Sequence, residues 1–85
     1  MSSETAYIVY ALSSIYRNYI YVGLTDNIKR RILQHNNGWS RTTRPYKPFR
    51  IILIERYPSR LEARSREKYL KSGVGKEFLN TIKEI

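Results

Sequence analysis

The sequence predicts a small α/β (α+β) domain, on three observations. Three runs rich in β-branched and aromatic residues, at 7–12, 19–23 and 49–57, read as strands. Two stretches with apolar residues at helical spacing and recognisable ends, 26–38 and 59–73, read as helices, and a shorter helix follows Gly75. At residues 19–35 the hydrophobic period changes from two to 3.6 within one run, so a strand feeds directly into a helix.

Taking the elements in order, Tyr7–Leu12 and Tyr19–Gly23 are separated by six residues and read as an antiparallel hairpin turning at Arg17–Asn18. Alternation places Tyr19, Tyr21 and Gly23 on one face and Ile20 and Val22 on the other, with Tyr10 within cross-strand reach of Tyr21. Gly23 is a position where something can approach the backbone closely. In the helix that follows, Asp26 is the expected N-cap and Ile28 and Ile32 form the apolar stripe; Asn36-Asn37-Gly38 is the stop. Lys29 and Arg30 read as a solvated face, with Gln34 on the same side as Arg30. Arg31 sits beside the stripe, where a guanidinium without an anion or carbonyl costs several kcal/mol, and His35 lies one turn on. For His35 a hydrogen-bonded structural role and a functional one are equally supported.

Residues 39–48 form a basic connector in which Trp39 and Tyr46 accompany Arg41, Arg44 and Lys47, readable as a plain link or as a surface that tracks a nucleic-acid backbone. Phe49–Tyr57 is the most apolar strand and is expected at the centre of the sheet. Ser59-Arg60-Leu61-Glu62 fits a capping box, which gives Glu62 a structural task. Glu67 has none; it lies between Ala63 and Leu70, on the side expected to face the sheet, and its ordinary alternative is an ion pair with Arg64 or Lys71. Phe78, Leu79 and Ile82 form the inner side of the last helix.

Eighty-five residues make one domain, 1–85 with a core of about 6–82. The chain has no cysteine, no apolar run of membrane-spanning length, and in Met1–Thr5 neither part of a signal peptide. The expectation is a cytoplasmic monomer whose mature chain is the whole chain. Sixteen Lys+Arg against seven Asp+Glu give a net charge of +9, and the cations are spread from Arg17 to Lys83 rather than gathered on one helix. A polyanion, DNA or RNA, is therefore the expected partner in preference to a membrane surface.

If the chain cuts nucleic acid, its inventory removes most routes. Asp26 is the sole aspartate and no acidic cluster suits a two-metal centre; one histidine excludes mechanisms built on a pair. What survives is one hard cation on one carboxylate, with tyrosines for proton transfer or orientation and an arginine for the phosphate.

Tyr7-Ile8-Val9-Tyr10, Tyr21-Val22-Gly23, Arg31, His35 and the run Arg66–Gly73 stand in an order and spacing that resembles the GIY-YIG nuclease superfamily. The likeness is greatest to small stand-alone bacterial members, whose first triplet is degenerate, as Ile8-Val9-Tyr10 is here. The resemblance implies a three-stranded antiparallel sheet flanked by helices and metal-dependent phosphodiester hydrolysis in DNA. By position it assigns Tyr10 and Tyr21 to the signature tyrosines, Arg31 to the phosphate, His35 to a site held by histidine or tyrosine, Glu67 to the metal and Asn80 to a later asparagine. The resulting expectation is a structure-selective or weakly specific endonuclease in DNA repair or processing, using one Mg²⁺ or Mn²⁺, with Tyr10 or Tyr21 activating water. Gly23, Arg30, Arg41, Arg44, Lys47, Lys71 and Asn80 are expected to meet DNA. The alternative is a non-catalytic DNA- or RNA-binding module, and a partner protein that directs cutting is left open.

Overall fold

In the computed structural model, which describes residues 6–83, the strand with apolar residues on both faces takes the middle of the sheet. That strand is β1 (Tyr7–Ser14), and Val9, Tyr10, Ala11 and Leu12 are all fully buried. It pairs antiparallel with β2 (Ile20–Thr25) on one side and β3 (Phe49–Tyr57) on the other, giving the order β2-β1-β3. The three-stranded antiparallel sheet is as expected, but the expectation of a central β3 is wrong. Its unbroken apolar run contains an irregularity: the pairing with β1 passes from Leu53 to Ile51, so Ile52 falls out of register. Ile51 and Ile54 are consequently exposed on an edge strand, although hydropathy alone reads them as core.

Each face of the sheet has its own cover. Ile8, Tyr10, Leu12 and Phe49 pack with Tyr19, Tyr21 and, from α1 (Ile28–Asn36), Ile28 and Ile32. Val9, Ala11 and Val22 pack on the opposite face with Ala63 and Leu70 of α2 (Arg60–Lys71) and Leu79 of α3 (Gly73–Lys83). The period-two reading of this run thus holds, with Tyr19, just before β2, and Tyr21 beneath α1 and Ile20 and Val22 toward α2.

Local chemistry sets the helix ends. Asn27, not Asp26, caps α1: its side chain accepts from Arg30 N at 3.1 Å while Thr25 Oγ1 accepts from Asn27 N at 3.0 Å. The threonine holds Asn27 as the last extended residue, which leaves Asp26 exposed outside the helix. Gly38, at φ +76°, closes α1 in the left-handed conformation, and its N–H donates to His35 O. Ser59 caps α2 by accepting from Glu62 N, as the sequence suggested. The third helix starts directly after Ser72 rather than beyond Gly75, because Gly75 lets the α2–α3 corner close; a Cβ there would meet the Tyr69 carbonyl. Phe78 is partly exposed, its ring facing the Arg66 guanidinium, and so is not the inner residue expected. No described helix is long and apolar enough to cross a membrane. Met1–Thr5, Glu84 and Ile85 lie outside the described residues.

Candidate active site

The strand-to-helix run of residues 19–35 builds most of the site. Tyr10 faces Gly23 across the β1–β2 pair, and its ring lies flat over the glycine: a Cβ at Gly23 would stand 2.6 Å from Tyr10 Cζ. The close approach anticipated at Gly23 is therefore made by a tyrosine of the same sheet. Gly23 is buried, and it seats Tyr10.

From that seat the Tyr10 hydroxyl lies 3.1 Å from His35 Nε2, and the other ring nitrogen, Nδ1, lies 2.8 Å from Thr43 Oγ1. Tyr10, His35 and Thr43 are all fully buried. Burial, then the nearby charge of Arg31, lowers the pKa of His35. The neutral ring donates through one nitrogen and accepts through the other, so the two hydroxyls are oriented in opposite senses. Burial pushes the Tyr10 phenol up to about 12, with Arg31 opposing the rise. Tyr21 is half-buried, its ring centroid 6.1 Å from that of Tyr10 and 4.7 Å from that of His35.

Arg31 stands at the mouth of this cluster. Its Nη1 donates to Gln34 Oε1 at 2.8 Å, which places Gln34 on the Arg31 side of the helix and not, as expected, with Arg30. Its pKa is raised, first by the Tyr10 hydroxyl it faces. Together with Tyr7, Leu24, Thr25, Asp26 and Arg60 it lines an open cleft of about 290 Å³ beyond the end of β2.

Glu67 is buried on α2 with Ala63 and Leu70, and so is directed to the sheet. Its helix, however, covers the Val22 face, so the expectation that Glu67 points to the tyrosine face does not hold. Both ion pairs of the ordinary alternative are present, with Lys71 Nζ at 3.2 Å from Oε2 and Arg64 Nε at 4.0 Å from Oε1. Lys71 also borders a hollow with Tyr19, Tyr21 and Lys76 along the free edge of β2, and Asn80 borders the next one with Tyr19 and Lys76. Among the described residues no three acidic or histidine side chains converge as a metal cluster.

The basic connector packs through Tyr46 on Tyr19, which also borders the Lys71 and Asn80 hollows. Arg41, Arg44 and Lys47 are exposed, as is Arg30; Arg44 Nε donates to Gly38 O at 2.8 Å, and Arg44 and Lys47 fold back over that glycine. The segment is more ordered than a plain link: Arg44–Tyr46 form a 3₁₀ turn, and Tyr46 stacks on Tyr19 at 3.9 Å between centroids.

Thr43 is the residue that sequence reasoning missed. It is one hydroxyl among several in a polar loop, and its partner His35 becomes its neighbour only when the connector folds back. Asn36 was missed for the same reason; its Oδ1 accepts from Phe49 N at 2.7 Å, tying the end of α1 to β3.

The family model for the GIY-YIG catalytic domain matches residues 6–82. The chain belongs to the GIY-YIG superfamily. Within it, the UPF0213 protein CPE1444 of Clostridium perfringens is 40% identical over 64 residues, covering 74% of this chain and 69% of that protein. The UPF0213 protein SH2523 of Staphylococcus haemolyticus is 32% identical over 68 residues, covering 79% and 83%. A solution NMR structure of the UPF0213 protein BH0048 from Bacillus halodurans superposes with a TM-score of 0.55 at 33% identity, covering 92% of this chain and 85% of that one. This GIY-YIG domain therefore shares its α+β fold with a UPF0213 relative; of the positions quoted for the family signature, Tyr10, Tyr21 and Arg31 meet around His35, while Glu67 lies on the helix that covers the other face of the sheet.

Proposed function

We propose that this GIY-YIG chain is a metal-dependent DNA endonuclease of structure-selective or weak specificity, acting in repair or processing as a cytoplasmic monomer. The observation that carries the reading is Arg31, held charged at the mouth of a cleft and backed by two phenols around a buried, neutral His35. A guanidinium so placed binds the scissile phosphate, with hydrogen bonds shortened by its charge.

The two phenols divide the remaining work. With its pKa near 12, Tyr10 keeps its proton at neutral pH and acts through His35 and Thr43 as a positioning residue. That leaves the half-buried Tyr21, beside Arg31 and the open edge of β2, as the group to orient the attacking water and, once its own proton has passed to solvent, to accept a proton from it. The carboxylate of Glu67 is a hard-oxygen donor of the kind Mg²⁺ or Mn²⁺ takes, and its Lys71 partner is an exposed, flexible amine that can swing away. A divalent ion bound there supplies electrostatic stabilisation of the phosphate's developing charge. Arg30, Arg41, Arg44 and Lys47 supply a basic field for the DNA backbone.

One observation favours the second reading, a DNA- or RNA-binding module without cutting: Glu67 is already neutralised by two cations. Incubation with nicked, branched and fully paired DNA, with and without Mg²⁺, separates the two. Cutting that needs Mg²⁺ and is lost in Glu67→Gln supports the nuclease; a mobility shift without cleavage on every substrate overturns it.

A further inference from the structure

A row of hollows starts beside Tyr21, runs along the outer edge of β2 and turns round the hairpin end of the sheet. The first, with Lys71 and Lys76, and the second, with Lys76 and Asn80, share Tyr19 and Ile20. The second meets a third at Asn18, where Arg17, Arg50 and Lys83 surround Ser13 and Ser14 at the hairpin end of the sheet. Lys76, Asn80 and Lys83 recur at i, i+4 and i+7, so one face of α3 supplies one wall of the track. Structure fixes the far end: Lys83 Nζ donates to Asn18 Oδ1 at 3.0 Å, and Arg50 Nη2 donates to Lys83 O at 2.6 Å. Beside these cations Tyr16 stands 80% exposed, next to Arg17, whose side chain is exposed as well.

A row of cations calls for a row of anions, and an aromatic ring standing free at its end calls for an unpaired planar group. A duplex offers phosphates but keeps its base faces stacked inside; a single strand offers both. We propose that the β2 edge and the adjoining hairpin end of the sheet seat single-stranded DNA, with its phosphates along Lys71, Lys76, Arg17, Arg50 and Lys83 and one base stacked on Tyr16. The proposal rests on the nuclease reading for its ligand. A single-stranded segment entering at Arg31 thus passes along the hollows before it reaches the ring.

The test is binding in EDTA, so that no cutting intervenes, using a fluorescently labelled twelve-residue oligothymidine and a blunt twelve-pair duplex. Tyr16→Ala is expected to weaken oligothymidine on the order of ten-fold and the duplex by less than two-fold. Arg17→Glu removes one phosphate contact and is expected to lower the salt slope for oligothymidine by about one. Both side chains are exposed, so circular dichroism of the variants should match the parent chain. Equal losses for both probes, or no loss for oligothymidine in either variant, overturns the seat. Because these measurements contain no metal, their failure leaves Mg²⁺-dependent cutting as a separate question, and loss of cutting leaves the seat intact.

Discussion

Removing the Tyr10 hydroxyl tests the buried chain from Tyr10 through His35 to Thr43. In Tyr10→Phe the ring remains over Gly23 and the packing is conserved, but His35 Nε2 loses the partner it has at 3.1 Å in a fully buried place. A buried polar group left unpaired costs about 1–3 kcal/mol, more than the ~1 kcal/mol net value of an ordinary hydrogen bond. Thr43→Val, which preserves shape and deletes the 2.8 Å partner of Nδ1, is expected to cost a similar amount. Since both act on one imidazole, their sum should fail: the double variant is expected to depart from additivity by about 0.5 kcal/mol or more. Urea unfolding followed by circular dichroism measures all three. The reasoning is refuted if either single change costs less than about 0.5 kcal/mol, or if the two add as independent sites. Cleavage adds a second readout, since a positioning role for Tyr10 leaves Tyr10→Phe partly active while Tyr21→Phe loses most of its rate.

Three further outcomes follow from the same geometry. Arg31→Ala is expected to abolish cutting while Arg30→Ala, on the solvated face, costs little; equal losses would reduce Arg31 to part of the general basic field. Because the folded pKa of His35 lies below its ordinary 6.5, the unfolded chain takes up a proton first on acidification. Stability should thus be fully present above about pH 6.5 and fall as pH drops toward the folded value, which thermal unfolding across pH 5–8 would reveal as a slope absent from His35→Gln. Gly75→Ala drives a methyl into the Tyr69 carbonyl and to 2.5 Å from Leu70 Cα, and is expected to cost 2 kcal/mol or more, about the upper range for single changes; an unchanged unfolding midpoint would show that the α2–α3 corner has slack.

Much of this was legible in the chain because it is local. The switch of period at residues 19–35 gave the strand, the helix and the strand face that carries Tyr21; the capping box gave the start of α2. What the sequence concealed is set by long-range pairing. Alternation says that Tyr21 and Val22 face opposite ways, but not that α1 and α2 take opposite sides of the sheet, and it was this layering that moved Glu67 from the tyrosine face to the helix over the other face. The unbroken run Ile51–Ile54 suggests Phe49–Tyr57 for the centre, yet the centre goes to the strand whose two faces can both be covered, and a slipped residue at Ile52 leaves β3 with isoleucines in solvent. Thr43 carries no signal at all until the connector closes over His35.

The middle position of β1 also governs how the chain can acquire its shape. Its partner on one side, β2, follows at once through a short turn, whereas its partner on the other side begins only at Phe49. A chain emerging from the ribosome therefore forms the hairpin early and carries it with one flank of β1 bare, its amides and carbonyls unpaired along Val9 to Leu12, until most of the sequence has been made. The slow step of folding is then the arrival of β3, and amide exchange in the native state should be slowest along β1, which is released only when both of its neighbours leave.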